Sequence, residues 1–91
     1  MSSKIKVVLF THPTCTGCRE TYRRFEQWEK ERDDLSFEVQ SLAGPRGHAL
    51  AVKWQIHSVP TVIFNDCPEL RITGIPRRQT MEDMLQKINA K

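Results

Sequence analysis

The chain has 91 residues, 38% hydrophobic and 27% charged, a balance that fits a single globular domain over residues 1–91 and excludes a disordered chain. Apolar runs such as Val7 to Phe10 are too short to span a bilayer, and Met1-Ser2-Ser3-Lys4 opens no secretory segment, so no membrane association and no export are expected. A formal net charge of +3 is too mild for a nucleic-acid footprint, and an odd set of three cysteines fits a cytoplasmic redox or metal site better than a secreted disulfide scaffold.

Lys4 to Phe10 reads as a first strand. Ile5, Val7 and Val8 are β-branched, and the nearly continuous apolar character predicts burial on both faces at the centre of a sheet. Thr11-His12-Pro13-Thr14-Cys15-Thr16-Gly17-Cys18 follows, and from Cys15 or Thr16 to about Arg32 the pattern is helical. Tyr22, Phe25 and Trp28 recur at helical spacing and predict core contact, opposite Arg23, Arg24, Glu26, Glu29 and Lys30. Leu35, Phe37 and Val39 alternate with polar residues, which makes Leu35 to Leu42 a second strand. Gly44-Pro45 is a turn signal, and Pro45 can open a short helix with Leu50 and Trp54 on one face and Val52 beside them.

Thr61 to Asn65 is a third strand, Asn65-Asp66-Cys67-Pro68 a turn, and Leu70 to Thr73 a short fourth strand. Gly74-Ile75-Pro76 breaks the pattern. Thr80 then caps a last helix, with Asp83 in the capping-box place and Met81, Met84, Leu85 and Ile88 on its apolar side.

Two cysteines three positions apart, where a strand gives way to a helix, point to thiol chemistry. Cys15 there faces unpaired N–H groups and the positive end of the helix dipole, which favour a thiolate. Cys18 lies about one turn further on, within reach for a disulfide, and Gly17 removes bulk between them. A metal site would need Cys67 with His12, His48 or His57, none of which shows a second paired ligand spacing. A metal or iron–sulfur carrier therefore stands as the alternative from another class. His12 and His57 lie three positions before Cys15 and Pro60 and read as solvated loop residues or as electrostatic neighbours of the thiolate. Cys67 reads as a neutral turn thiol, and Arg77-Arg78 as a rim that can steer acidic partners.

The order β-α-β-α-β-β-α with Cys-x-x-Cys at its first strand–helix junction resembles the thioredoxin/glutaredoxin-like superfamily. Val59-Pro60-Thr61 is similar to that family's cis-proline segment, Trp54-Gln55-Ile56-His57-Ser58 to the stretch leading into it, and Gly74 to its glycine after the fourth strand. The resemblance runs from Lys4 to Ile88 and implies an α/β thioredoxin-like fold, a four-stranded mixed sheet sandwiched by helices. The first two strands would be parallel with a right-handed crossover and the last two antiparallel. It further implies a thiol–disulfide oxidoreductase with catalytic Cys15 and Cys18, and substrate lying against Thr14, Thr16, Gly17, Val59, Pro60 and Gly74. The implied partners are disulfide-containing proteins and a reductase or thiol electron donor, for a cytoplasmic monomer with no cofactor, no nucleic acid and no membrane.

Glutaredoxins resemble Cys-Pro-Tyr-Cys, with a Thr before Val-Pro and a Gly-Gly followed by Asp. This chain has Cys15-Thr16-Gly17-Cys18, Ser58 and Gly74-Ile75-Pro76-Arg77, which favours protein disulfides over a glutathione-dependent activity. Thr14 stands where thioredoxins place a Trp, and Leu9 where they bury an aspartate. The proton of Cys18 would then go to water, to His12 or His57, or to the departing substrate thiolate.

Overall fold

The computed structural model describes residues 4–89, along which run β1 (Ile5–Thr11), α1 (Cys18–Glu31), β2 (Leu35–Ser41), α2 (Pro45–Lys53), β3 (Thr61–Phe64), β4 (Cys67–Thr73) and α3 (Arg78–Asn89). The strands form one mixed sheet in the order β2-β1-β3-β4. β1 runs parallel to β2, from Ile5 opposite Leu35 to Thr11 opposite Ser41, and antiparallel to β3. β4 returns antiparallel to β3, with an irregularity at Ile63/Phe64. The predicted α/β architecture is the observed one, and β1 is interior as its apolar run required.

Period two sorts the side chains of β1 onto the two faces. Ile5, Val7 and Leu9 meet Phe25 and Trp28 of α1 and Met81 and Leu85 of α3, while Val8 and Phe10 meet Ala51, Trp54 and Ile56 from α2 and the segment after it. Each fully buried side chain of this kind contributes about 1.5–3 kcal/mol relative to exposure, so the two half-cores fix both helix layers onto one strand. No helix of the described residues is long and apolar enough to cross a membrane.

Several local expectations change, each for a physical reason. Tyr22 is 41% exposed, because it leans on Phe37 of the edge strand β2 instead of entering the core. Val39, which alternates in step with Leu35 and Phe37, is 39% exposed because the sheet ends at β2. Val52 is also exposed, since Ala51 and Trp54 carry the inward side of α2. The β3–β4 turn shrinks to Asn65 and Asp66, both at φ near +55°, a left-handed pair that suits a two-residue hairpin. Cys67 and Pro68 accordingly begin β4 instead of ending the turn, and the edge position of β4 tolerates a residue without an N–H. Thr80 caps nothing. Met81 already donates its N–H to the Arg77 carbonyl, so Thr80 lies inside α3, and Asp83 accepts from Gln79 at 2.8 Å.

Candidate functional site

The loop after β1 is folded on His12. The Cys15 N–H donates to the His12 carbonyl at 2.9 Å, closing a turn with Pro13 in its second place. The Thr14 N–H donates to His12 Nδ1 at 3.2 Å, and the Thr14 hydroxyl lies 2.9 Å from the same nitrogen. The imidazole thus accepts a backbone proton two residues on, as an asparagine side chain does in an Asx-turn. This turn consumes the Cys15 N–H, so the helix does not start at Cys15 or Thr16 as expected. Gly17 is the N-cap, Cys18 the first helical residue, and the first helical bond runs from the Thr21 N–H to the Gly17 carbonyl.

We expect His12→Asn, which can accept the same N–H, to keep the rate of attack on a small disulfide within about twofold. His12→Ala should lower it several-fold, read by stopped-flow thiol release; equal rates for the two variants would show that the turn does not need this acceptor.

Cys15 and Cys18 are joined by a disulfide, with Cα atoms 5.6 Å apart. Their surroundings differ. Cys15 is half-buried, whereas Cys18 is buried with its sulfur 3.9 Å from the Phe10 carbonyl oxygen, a contact its S–H can make once the bridge is reduced. No side chain caps the start of α1, so the free N–H groups of its first turn remain beside the sulfurs. Leu9 is fully buried among Phe25, Val62 and the rest of the α1-side core.

The Val59–Pro60 bond is cis, as the resemblance implied. The Pro60 carbonyl accepts the Gly74 N–H at 2.8 Å, and Gly74 has φ +86°, a conformation that suits glycine. A Cβ on Gly17 would stand 3.1 Å from Ile75 Cγ1 and 3.4 Å from Pro60 Cδ. Gly17, Pro60, Gly74 and the cysteine pair therefore converge. Val59 is half-buried, while Thr14 and Thr16 are exposed at the rim.

Ile75 is the residue the sequence reading missed. It is 47% exposed although it packs on Gly17, and its only sequence signal is a large apolar side chain between the turn formers Gly74 and Pro76. Arg71 was missed as well. Its guanidinium donates to the carbonyls of Pro68, Trp54 and Gln55, closing the C-terminus of α2 and anchoring the segment that leads to Pro60.

Other candidates fall elsewhere. Cys67, a free cysteine, is paired with Phe64, at the end of the sheet where β1 begins and away from Cys15. His57 and Arg77 are exposed, and Arg78 is ion-paired with Glu31 and Glu82. Among the described residues, no three His, Cys, Asp or Glu side chains gather as a metal set.

Comparison with known proteins gives one consistent picture. A family model described as a thioredoxin-like domain matches residues 2–89. A thioredoxin of Methanocaldococcus jannaschii is 28% identical over 85 residues, covering 93% of this chain and 96% of that protein. Among solved structures, thioredoxin O2 from Arabidopsis thaliana in its oxidised state superposes with a TM-score of 0.76 at 20% identity, over 92% of this chain and 75% of that one. A protein disulfide oxidoreductase from Aeropyrum pernix superposes with a TM-score of 0.75 at 25% identity, over 94% of this chain and 39% of its own.

Proposed function

The chain belongs to the thioredoxin-like domain family, and from that premise we propose that it is a thiol–disulfide oxidoreductase that reduces protein disulfides with Cys15 and Cys18. The observation that carries this reading is the asymmetry of the bridged pair, a half-buried Cys15 on a turn and a buried Cys18 at the first position of α1. The more accessible sulfur attacks and the shielded one resolves.

In the first step, Cys15 thiolate displaces one sulfur of a substrate disulfide. A Cys15–substrate bond forms, and the leaving thiolate takes up a proton. Cys18 then loses its proton and attacks Cys15 Sγ, forming the intramolecular bridge and releasing the second substrate thiol. The substrate gains two electrons and the pair loses them; a reductase or thiol donor restores the dithiol. The first-turn N–H groups of α1 stabilise Cys15 as attacker and as leaving group. On this reading the protein works as a monomer in the cytoplasm, where such pairs are kept reduced.

Insulin reduction, run in parallel with a thioredoxin reductase and with glutathione plus its reductase, tests the proposal. Turnover of the protein disulfide is the expected result. Activity confined to glutathione mixed disulfides would replace it with a glutathione-dependent reading.

The buried apolar Leu9 offers no proton acceptor behind the pair, and burial of Cys18 disfavours its thiolate. Resolution, not the first attack, should therefore limit turnover near neutral pH and speed up from about pH 6 to about pH 9. Rapid-quench trapping of the mixed disulfide measures this directly, and a flat resolution rate with no accumulating intermediate would contradict it.

A further inference from the structure

Arg24 lies in the charged groove where α1 meets the start of α3, with Glu20, Glu31 and Arg78 also lining it. Its Nε donates to Glu20 Oε2 at 2.9 Å, one turn earlier on α1. Its Nη1 donates to the Pro76 carbonyl oxygen at 2.6 Å, across 52 positions of sequence. The first contact orients the guanidinium plane, and the second uses it to hold a loop. The hydrogen bond from Arg24 holds the Glu20 carboxyl below its ordinary value, which keeps Glu20 a charged acceptor for the guanidinium.

The loop it holds is the one that carries Ile75. Gly74 is tied on one side through its N–H to Pro60, and Pro76 on the other through its carbonyl to Arg24. Ile75, between these two anchors, places Cγ1 and Cδ1 3.1 and 3.3 Å from where a Gly17 Cβ would stand. The missing side chain of Gly17 makes the hollow that seats it. An isoleucine seated this closely yet left 47% exposed presents its outer half as an apolar wall beside the cysteines.

We propose that Arg24, oriented by Glu20, is a positioning residue for protein substrates: it holds the Pro76 carbonyl so that Ile75 stays against Gly17 as a fixed apolar wall at the Cys15–Cys18 pair. The inference rests on the protein-disulfide reading above. It specifies the substrate feature that reading leaves open, an apolar side chain flanking the disulfide cysteine. A small polar disulfide lacks that side chain and has no use for the wall. Lysine cannot replace Arg24, because one ammonium cannot serve Glu20 and Pro76 in the planar geometry of the guanidinium.

The test compares insulin with 2-hydroxyethyl disulfide. Arg24→Met and Ile75→Ala should each raise KM for insulin about tenfold, with a much smaller change in kcat, and the preference for insulin over the small disulfide in kcat/KM should fall several-fold. The double variant should be no worse than either single one, because both remove the same wall. Arg24→Lys should raise KM about threefold, which keeps the test available if Arg24→Met does not fold.

NMR of the Ile75 δ1-methyl supplies a readout without substrate: its order parameter should fall in Arg24→Met and in Arg24→Lys. Unchanged KM in folded Arg24 variants, additive effects in the double variant, or an unmoved Ile75 methyl would each overturn the proposal. A wild-type protein inert toward insulin would instead overturn the function reading, and the methyl response would then decide the clamp by itself.

Discussion

Cys18→Ser converts the protein from a catalyst into a trap. Mixed with a disulfide-bonded protein after reduction, the variant should form a stable adduct on Cys15, visible by intact mass, while multiple turnover falls by on the order of a thousandfold or more. The reason lies in the geometry of the pair. Cys15 stands half-buried at the end of a turn, free to meet an external sulfur, whereas Cys18, the first residue of α1, is buried with its sulfur toward the Phe10 carbonyl of β1. Serine fits the buried position but cannot attack a disulfide, so the reaction stops after one bond exchange. Cys15→Ser should give no adduct at a comparable rate, since its remaining thiol is 6% exposed. Equal adduct formation on Cys18 would reverse the assignment of attacker and resolver.

The architecture was legible where burial acts on a whole segment. Val7, Val8, Leu9 and Phe10 are at most 1% exposed, and only an interior strand packed on both faces needs such a run, so β1 could be placed before any contact was known. The cysteine pair was legible for a related reason: its chemistry depends on a spacing within one turn of one helix. The helix start was not, because it is decided by where the Cys15 N–H goes, and that bond to His12 is a property of the folded turn. Cys67 was misplaced into the turn because Asn65 and Asp66 suffice for a two-residue reversal once both adopt left-handed φ. Long-range partners left no local trace at all. Ile75 meets Gly17, Arg24 meets Pro76, and Arg71 meets the end of α2 only after the sheet has brought distant segments together.

Gly47 carries the largest expected effect on stability, and it too was silent in the sequence. It is buried on the third residue of α2, and a Cβ there would stand 1.9 Å from the Ser41 carbonyl oxygen and 2.7 Å from its carbon. Both obstacles are backbone, so no side-chain rotation relieves them. Ser41 is itself fixed: it ends β2 opposite Thr11, and its carbonyl accepts the Gly44 N–H at 3.1 Å. Gly47→Ala must therefore push α2 outward by about 1 Å or more, loosening Ala51 and Trp54 from Val8, Phe10 and Ile63.

Alanine gains about 1 kcal/mol in helix propensity over glycine, but overpacking of this severity costs about 3 kcal/mol or more, so the clash wins by about 2 kcal/mol. In a domain of this size that lowers the melting temperature by about 10 °C. Gly44→Ala is the control. Its nearest contact is 3.5 Å and its φ of −89° suits any residue, so it should change stability by less than about 1 kcal/mol. Because α2 runs directly into the segment that ends at Pro60, the loss should extend to function, with insulin reduction falling in Gly47→Ala before the protein melts. Calorimetry of the two alanine variants side by side decides it: matching melting temperatures would mean that α2 is free to shift and that Ser41 is not the wall described.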